Sequence, residues 1–404
     1  MASHSLLFPR IDLVPLYTFS NVYQCFSYRS AVSGRLGNCF VLLALWLGLA
    51  PLAQAAMIDR TERPAAQVDP GRRHALIDIT KVGDRLLSVG ERGRIFFSAD
   101  QGTSWKQAQV PVSVLLTAVD AASDDTAWAV GHDGIVIKSD DQGNSWNKVL
   151  DGAGINQLLV DYYQALVVTA EADPDFPEDE LDELLFRAED ALLAQQDRVL
   201  RTLLDVAFID QNRGFVLGGY GLLLVTRDGG QSWQPMIEEL GNLDGFHLNA
   251  ITFADSSVFI AGEAGVLFRS QDLGSSWQAL DSPYDGSFFG IQYLGDQHLV
   301  AYGLRGNAFE SLDNGDSWQQ LSLPINRTLT GSAQLSDGTL VLVGSFGAVL
   351  IKRPGETFRV QKLPIPAPSM SVIPVANERV LVVGLAGMQS ITLSTSPITE
   401  TQGH

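Results

Sequence analysis

The 404-residue chain has only two cysteines, Cys25 and Cys39, and both lie in its first 55 residues. The rest of the chain therefore has no disulfide, no thiol nucleophile and no thiolate metal site, and packing alone must hold its fold. Basic side chains are also in deficit, with 27 Lys and Arg against 46 Asp and Glu and a formal net charge of −19. A protein this acidic is repelled by phosphate backbones, which argues against nucleic acid as a partner. Histidine occurs six times, with no metal-ligand spacing among the copies, and there is no Gly-rich phosphate loop and no Ser, His and Asp in catalytic order. Neither a metal nor a cofactor is expected. No apolar run reaches the ~20 residues that a spanning helix needs.

The longest apolar run, Cys39–Ala50, follows Arg29 and Arg35 and precedes Ala53-Gln54-Ala55, which places small residues where a signal peptidase reads. Residues 1–55 thus read as a secretory signal peptide with an over-long start, the true start falling near Val32 or Leu36. An uncleaved anchor over Leu36–Ala56 is the alternative. Cleavage would remove three arginines and one aspartate, leaving 24 basic against 45 acidic side chains and a net charge of −21. The expected location is outside the cytoplasm, in a periplasm or, in a phototroph, a thylakoid lumen.

What the chain has in abundance is glycine, 38 residues, arranged in a repeat. Gly-x-x-Gly before an apolar stretch occurs seven times, with second glycines at Gly93, Gly134, Gly221, Gly265, Gly306, Gly347 and Gly387. The spacings are 41, 87, 44, 41, 41 and 40, the 87 being one repeat plus an insertion. Five repeats continue into Ser/Thr-x-Asp-x-Gly-x-Ser-Trp, as in Ser98-Ala99-Asp100-Gln101-Gly102-Thr103-Ser104-Trp105. The paired residues are Asp100 and Trp105, Asp141 and Trp146, Asp228 and Trp233, Asp272 and Trp277, and Asp313 and Trp318. Aspartate in a turn accepts nearby backbone amides, glycine takes the positive φ, and the indole buries apolar surface beneath the turn. A catalytic group is needed once, so five copies point to a structural staple. The sixth box is worn, with Phe358 in the tryptophan position, and the seventh is lost near Thr392–Ser396.

Each repeat reads as four short strands in about 41 residues, a propeller blade. The expected architecture is all-β: a monomeric seven-bladed β-propeller over 75–393, preceded by a segment 56–74 and followed by a tail 394–404. The last blade lacks an outer strand, and Met57–Val68 could supply it and latch the ring. Between the second and third blades an acidic, helical insertion is expected over 161–203. Glu171–Asp190 carries ten acids, and leucines recur at helical spacing after Pro177. It is either a surface helix packed on the propeller or an arm that docks a partner.

The Gly-x-x-Gly turns share a face with the loops that join blades. Arg92, His132, Asp133, Tyr220, Glu263, Arg305 and Phe346 stand on that face as candidate partner-binding residues. Such a mixture suits recognition of a peptide or protein. Asp133 and Glu263 could alternatively form a glycosidase's carboxylate pair.

The phrases Val89-Gly90-Glu91-Arg92-Gly93, Leu217-Gly218-Gly219-Tyr220-Gly221 and Asp228-Gly229-Gly230-Gln231-Ser232-Trp233 resemble those of the photosystem II stability/assembly factor propellers, within the wider BNR or Asp-box repeat group. So does Leu203-Leu204-Asp205-Val206-Ala207-Phe208, and the likeness spans about Leu76–Leu393. The resemblance implies a non-catalytic lumenal or periplasmic scaffold that binds a membrane protein during its assembly. The partner would be a photosystem II subunit in a phototroph, and an envelope protein or transporter complex elsewhere. It also implies a basic patch, for which Arg92, Arg94 and Arg305 are the candidates. The acidic insertion and acidic balance depart from the family. A sialidase-like hydrolase and an envelope-transporter accessory are the competing expectations. No sialidase-type Phe-Arg-Ile-Pro-like phrase is present.

Overall fold

In the computed structural model the described residues are 59–376 and 378–394. The expected leader 1–55 and all of the tail after Ser394 lie outside them. Among the described residues no helix is long and apolar enough to cross a membrane.

The described residues form seven antiparallel sheets, six of four strands and a last one of three. In each, the strands follow one another in sequence order, as in Leu76–Val82, Arg85–Gly90, Ile95–Ser98 and Lys106–Gln107 of blade 1. The first strand of every blade contacts the first strand of the next. The seventh, Ser369–Ala376, returns to contact Leu76–Val82 and closes the ring.

Alternation along each strand puts apolar side chains on both faces of every sheet, which are therefore buried between blades. Seven apolar layers result, one per interface. Leu87 and Val89 meet Leu116 and Ala129 between blades 1 and 2. Leu381 and Val383 meet Leu86 and Phe96 between blades 7 and 1. The largest fully buried side chain, Trp128, lies between blades 2 and 3, stacked on Phe208 with ring centroids 4.8 Å apart.

The Asp box does more than close a hairpin. Its glycine presses on the second strand of the preceding blade. A Cβ at Gly102 (φ 82°) would lie 2.4 Å from a Leu381 methyl, and one at Gly143 the same distance from Leu87. The Gly102 contact joins the first blade to the last. In the worn sixth box, Phe358 fills the indole's place and is buried between blades 5 and 6.

Two expectations need correction. The insertion begins at Gly152 rather than at residue 161, and it is a hairpin of two helices, α1 (Gly152–Ala172) and α2 (Glu178–Gln196). Two glycines disguise its start, yet Asp151 caps α1 by accepting the Gly154 amide at 3.1 Å. Ile155, Leu159, Tyr163 and Ala191 bury against the apolar layer between blades 2 and 3. The second correction concerns the entering segment, which does not complete the last blade. Its described part runs along the outer side of blade 1 towards blade 2. The Ala65 amide donates to Val110 at 3.0 Å and the Ser113 amide to Arg60 at 2.8 Å. Glu62 pairs with Lys148, and Arg60 reaches Asp133 at 2.9 Å. Charges and a buried Ala65 decide the path, and neither leaves a strand-like pattern in sequence.

Candidate functional site

The two faces of the ring differ in chemistry. On one face lie the Asp boxes, whose carboxylates are fully engaged. Asp100 accepts the Ser104 amide at 2.8 Å, the Ser104 hydroxyl at 2.6 Å and the Ser98 hydroxyl at 2.8 Å. The Ser104 hydroxyl and amide, with Ser98, hold Asp100 down at about 2. Equivalent hydroxyls and amides hold Asp228, Asp272 and Asp313 at about 2, and Asp141 is also lowered. Trp105 and Trp146 donate their indole N–H to the box glycine carbonyl at 3.2 Å. The indole N–H groups of Trp233, Trp277 and Trp318 are buried without a hydrogen-bond partner among the described residues.

On the opposite face, the Gly-x-x-Gly motif makes one turn five times over. Its middle residue is left-handed in each: Arg92, Asp133, Tyr220, Ala264 and Arg305 have φ of 57°, 60°, 59°, 53° and 58°. The second glycine is required by close approach, since a Cβ at Gly265 would lie 1.8 Å from the Tyr284 carbonyl oxygen. The turn backbone is tied to the neighbouring inter-blade loop, the Gly93 amide donating to Val114 at 2.5 Å. A left-handed backbone costs a non-glycine residue about 1–2 kcal/mol. The side chains displayed there are thus held out by a rigid, mildly strained frame.

The candidate residues of this face meet different fates. Arg92 and Arg305 are exposed, on blades 1 and 5, and Tyr220 is 67% exposed, its ring edge-on to His247 at 5.3 Å. His132, Glu263 and Phe346 are half-buried, and Glu263 approaches His247 at 3.5 Å. Arg94 does not join the face. It is 8% exposed and donates to Glu91 at 2.6 Å, with its guanidinium also 3.1 Å from His74. Arg94 has an extended backbone between the turn and the strand Ile95–Ser98, and its ion pair with Glu91 keeps its side chain against the protein. Both Asp133 oxygens accept the Arg60 guanidinium, at 2.9 and 3.2 Å. The two acids required by the hydrolase alternative thus have separate partners, Asp133 on blade 2 the Arg60 guanidinium and Glu263 on blade 4 the His247 backbone amide at 3.1 Å.

A third group of acids was not singled out in the sequence. Asp78, Asp120 and Asp205 sit on the first strands of blades 1, 2 and 3. Each accepts a backbone amide of the next blade, from Val119, Phe208 and Ile251, at 3.0, 2.8 and 2.9 Å. Burial raises all three, Asp120 to about 6 and Asp205 well above its ordinary value, and Asp205 is raised further by Asp78 and Asp120. Asp78 and Asp205 line a cavity of about 260 Å3 with Asn249, Tyr302 and Ser332. A lone aspartate within an apolar first strand, as in Leu203-Leu204-Asp205-Val206, was the available signal. These acids are clamps between blades.

Against this geometry, the comparisons are consistent. The family described as "Photosynthesis system II assembly factor YCF48" matches residues 192–361. The photosystem II assembly protein Ycf48 of Thermosynechococcus vestitus is 40% identical over 52 residues, 13% of this chain and 15% of that protein. The photosystem II assembly lipoprotein Ycf48 of Prochlorococcus marinus is 38% identical over 52 residues, again 13% and 15%. The aligned stretch thus spans well under two thirds of the length of either relative. A solved structure of "YCF48 bound to D1 peptide" superposes with a TM-score of 0.56 at 14% identity, covering 84% of this chain and 99% of that one. YCF48 from Cyanidioschyzon merolae gives 0.56 at 14%, covering 81% and 98%. At these identities the superpositions speak for the fold, and the family and sequence matches speak for the kind of propeller. The chain is a seven-bladed propeller similar to the photosystem II assembly factors.

Proposed function

We propose that this chain is an exported, non-catalytic scaffold that holds part of a membrane or envelope protein on its turn-bearing face during assembly. In a phototroph the partner is a photosystem II subunit; elsewhere it is another membrane complex. The observation that carries this reading is the contrast between the two faces. The Asp-box acids are engaged within their own turns, while the five left-handed turns display exposed Arg92, Tyr220 and Arg305 from a rigid rim. Rigid presentation of arginine and tyrosine lowers the ordering cost of binding, and these residues recur as binding anchors. Support also comes from the solved relative whose name records a bound D1 peptide. The location follows from the leader-like sequence of residues 1–55 and places the scaffold in a periplasm or thylakoid lumen.

An interaction screen with the full chain tests this. Charge reversal by Arg92→Glu together with Arg305→Glu leaves the fold intact and abolishes recovery of the membrane partner. Undiminished recovery would refute the assignment of this face.

A further inference from the structure

The helical insertion leaves a groove of about 640 Å3 between itself and blade 3. Eleven large apolar side chains are exposed among the described residues, and five of them line this one groove: Phe186, Leu193, Val199, Tyr220 and Leu243. Phe186 and Leu243 are each 71% exposed. Apolar side chains scattered singly need no explanation, but a cluster around a concavity marks a contact surface. Tyr220 belongs also to the turn-bearing face, so the groove is continuous with it.

Arg201 lies in the wall of the groove. Its guanidinium donates to Asn156 Oδ1 at 3.1 Å. Asn156 is itself buried and donates to the Val199 carbonyl at 2.9 Å, so the guanidinium is held in place. Arg94, Arg187, Arg269 and Arg353 are also buried or half-buried, and each has a carboxylate within 4 Å. Arg201 has none among the described residues. Asp190 acts on it through its field without forming an ion pair, and burial disfavours the charged form. The guanidinium has donors left for a ligand, and its planar fork matches a carboxylate. Asp190 and Asp197, at the C-terminal end of α2, line the same groove and attract basic flanks on a partner.

We propose that this groove docks an extended apolar segment of the partner protein that carries a single acidic side chain, bound by Arg201, between basic flanks. The proposal rests on the scaffold reading and deepens it by naming what the partner must present.

The test uses the full chain and a synthetic library of apolar nonapeptides with lysine at both ends and one central glutamate, each also made with glutamine there and with free or amidated C-termini. The expected result is a family of binders that lose at least tenfold in affinity on Glu→Gln. They lose as much with Arg201→Gln, and little more when both changes are combined. Phe186→Asp and Leu243→Asp, on the exposed rim where folding is not at stake, weaken the same peptides. The proposal is overturned if no peptide binds, if affinity ignores the central acid or Arg201, or if binding requires a free C-terminus, which would replace a side-chain carboxylate by a terminal one. The two readings fail separately. Peptide binding with no membrane partner recovered would overturn the scaffold reading alone, and partner recovery with no peptide binding would overturn the groove alone.

Discussion

The buried aspartate of blade 2 makes the sharpest prediction about stability. Asp120 accepts the Phe208 amide at 2.8 Å, and burial raises its pKa from 3.8 to about 6. A folded-state pKa above the unfolded one means that the native chain binds the extra proton between these values. Stability from this group is therefore fully present below about pH 3.8 and is lost as pH rises through about 6. A shift of about two units corresponds to roughly 3 kcal/mol across that window. Asp120→Asn removes the titration. An asparagine oxygen can still accept the Phe208 amide, and any fixed cost of the amide shifts the whole curve without changing its slope. Denaturant unfolding of both proteins at pH 4, 5, 6 and 7 reads the effect. The difference in unfolding free energy between pH 4 and pH 7 should be smaller in the variant by about 3 kcal/mol, the variant gaining relative to the parent as pH rises. Asp78 and Asp205 are raised for the same reason and remain in both proteins. Parallel curves for parent and variant would refute the reasoning.

The exposed box aspartates have the opposite sign. Asp100 is held at about 2, so its contribution is present above pH 3.8 and is lost as pH falls through 2. Asp100→Ala should accordingly destabilise at pH 7 and much less at pH 2, read by thermal melts at the two pH values. Gly102→Ala places a methyl 2.4 Å from Leu381 on a left-handed backbone at the seam between the first and last blades. It should lower stability by about 2–4 kcal/mol in denaturant unfolding. Arg92→Gly relieves a φ of 57° and should stabilise by up to about 1 kcal/mol while weakening partner capture. Arg60→Ala frees the entering segment from Asp133 but removes an exposed pair, so the melting temperature should barely move while limited proteolysis before residue 75 accelerates.

The parts of the fold that were legible in the sequence share one property, repetition. Seven glycine turns and five boxes announced seven blades, and the hydrogen bonds of Asp100 and its equivalents match the structural role read from their number. What the repeat did not announce was its contact across blades. The box glycine is needed for a turn, and the turn alone does not reveal that Leu381 or Leu87 fills the space above it. Single events were harder still. Gly152 and Gly154 masked the first helix, whose apolar side reads as a helix only once Asp151 is known to cap it. The entering segment follows ion pairs from Arg60 and Glu62, which have no periodicity. The proposed face was legible as a row of turns, but not in its side-chain orientations: Arg94 points inward, and Asp133 is covered by Arg60. The groove at Arg201 combines residues from the insertion, blade 3 and the loop after it, a juxtaposition that only the folded chain creates.

The most direct test of the scaffold assignment is site-specific photocrosslinking in the native host. A photoreactive residue is placed at Tyr220 or Arg305 on the turn-bearing face, and at Gln231 in a box on the opposite face. The account predicts crosslinks to one membrane protein from Tyr220 and Arg305 and none from Gln231. Crosslinks from Gln231 alone, or no membrane protein from any of the three, would contradict it.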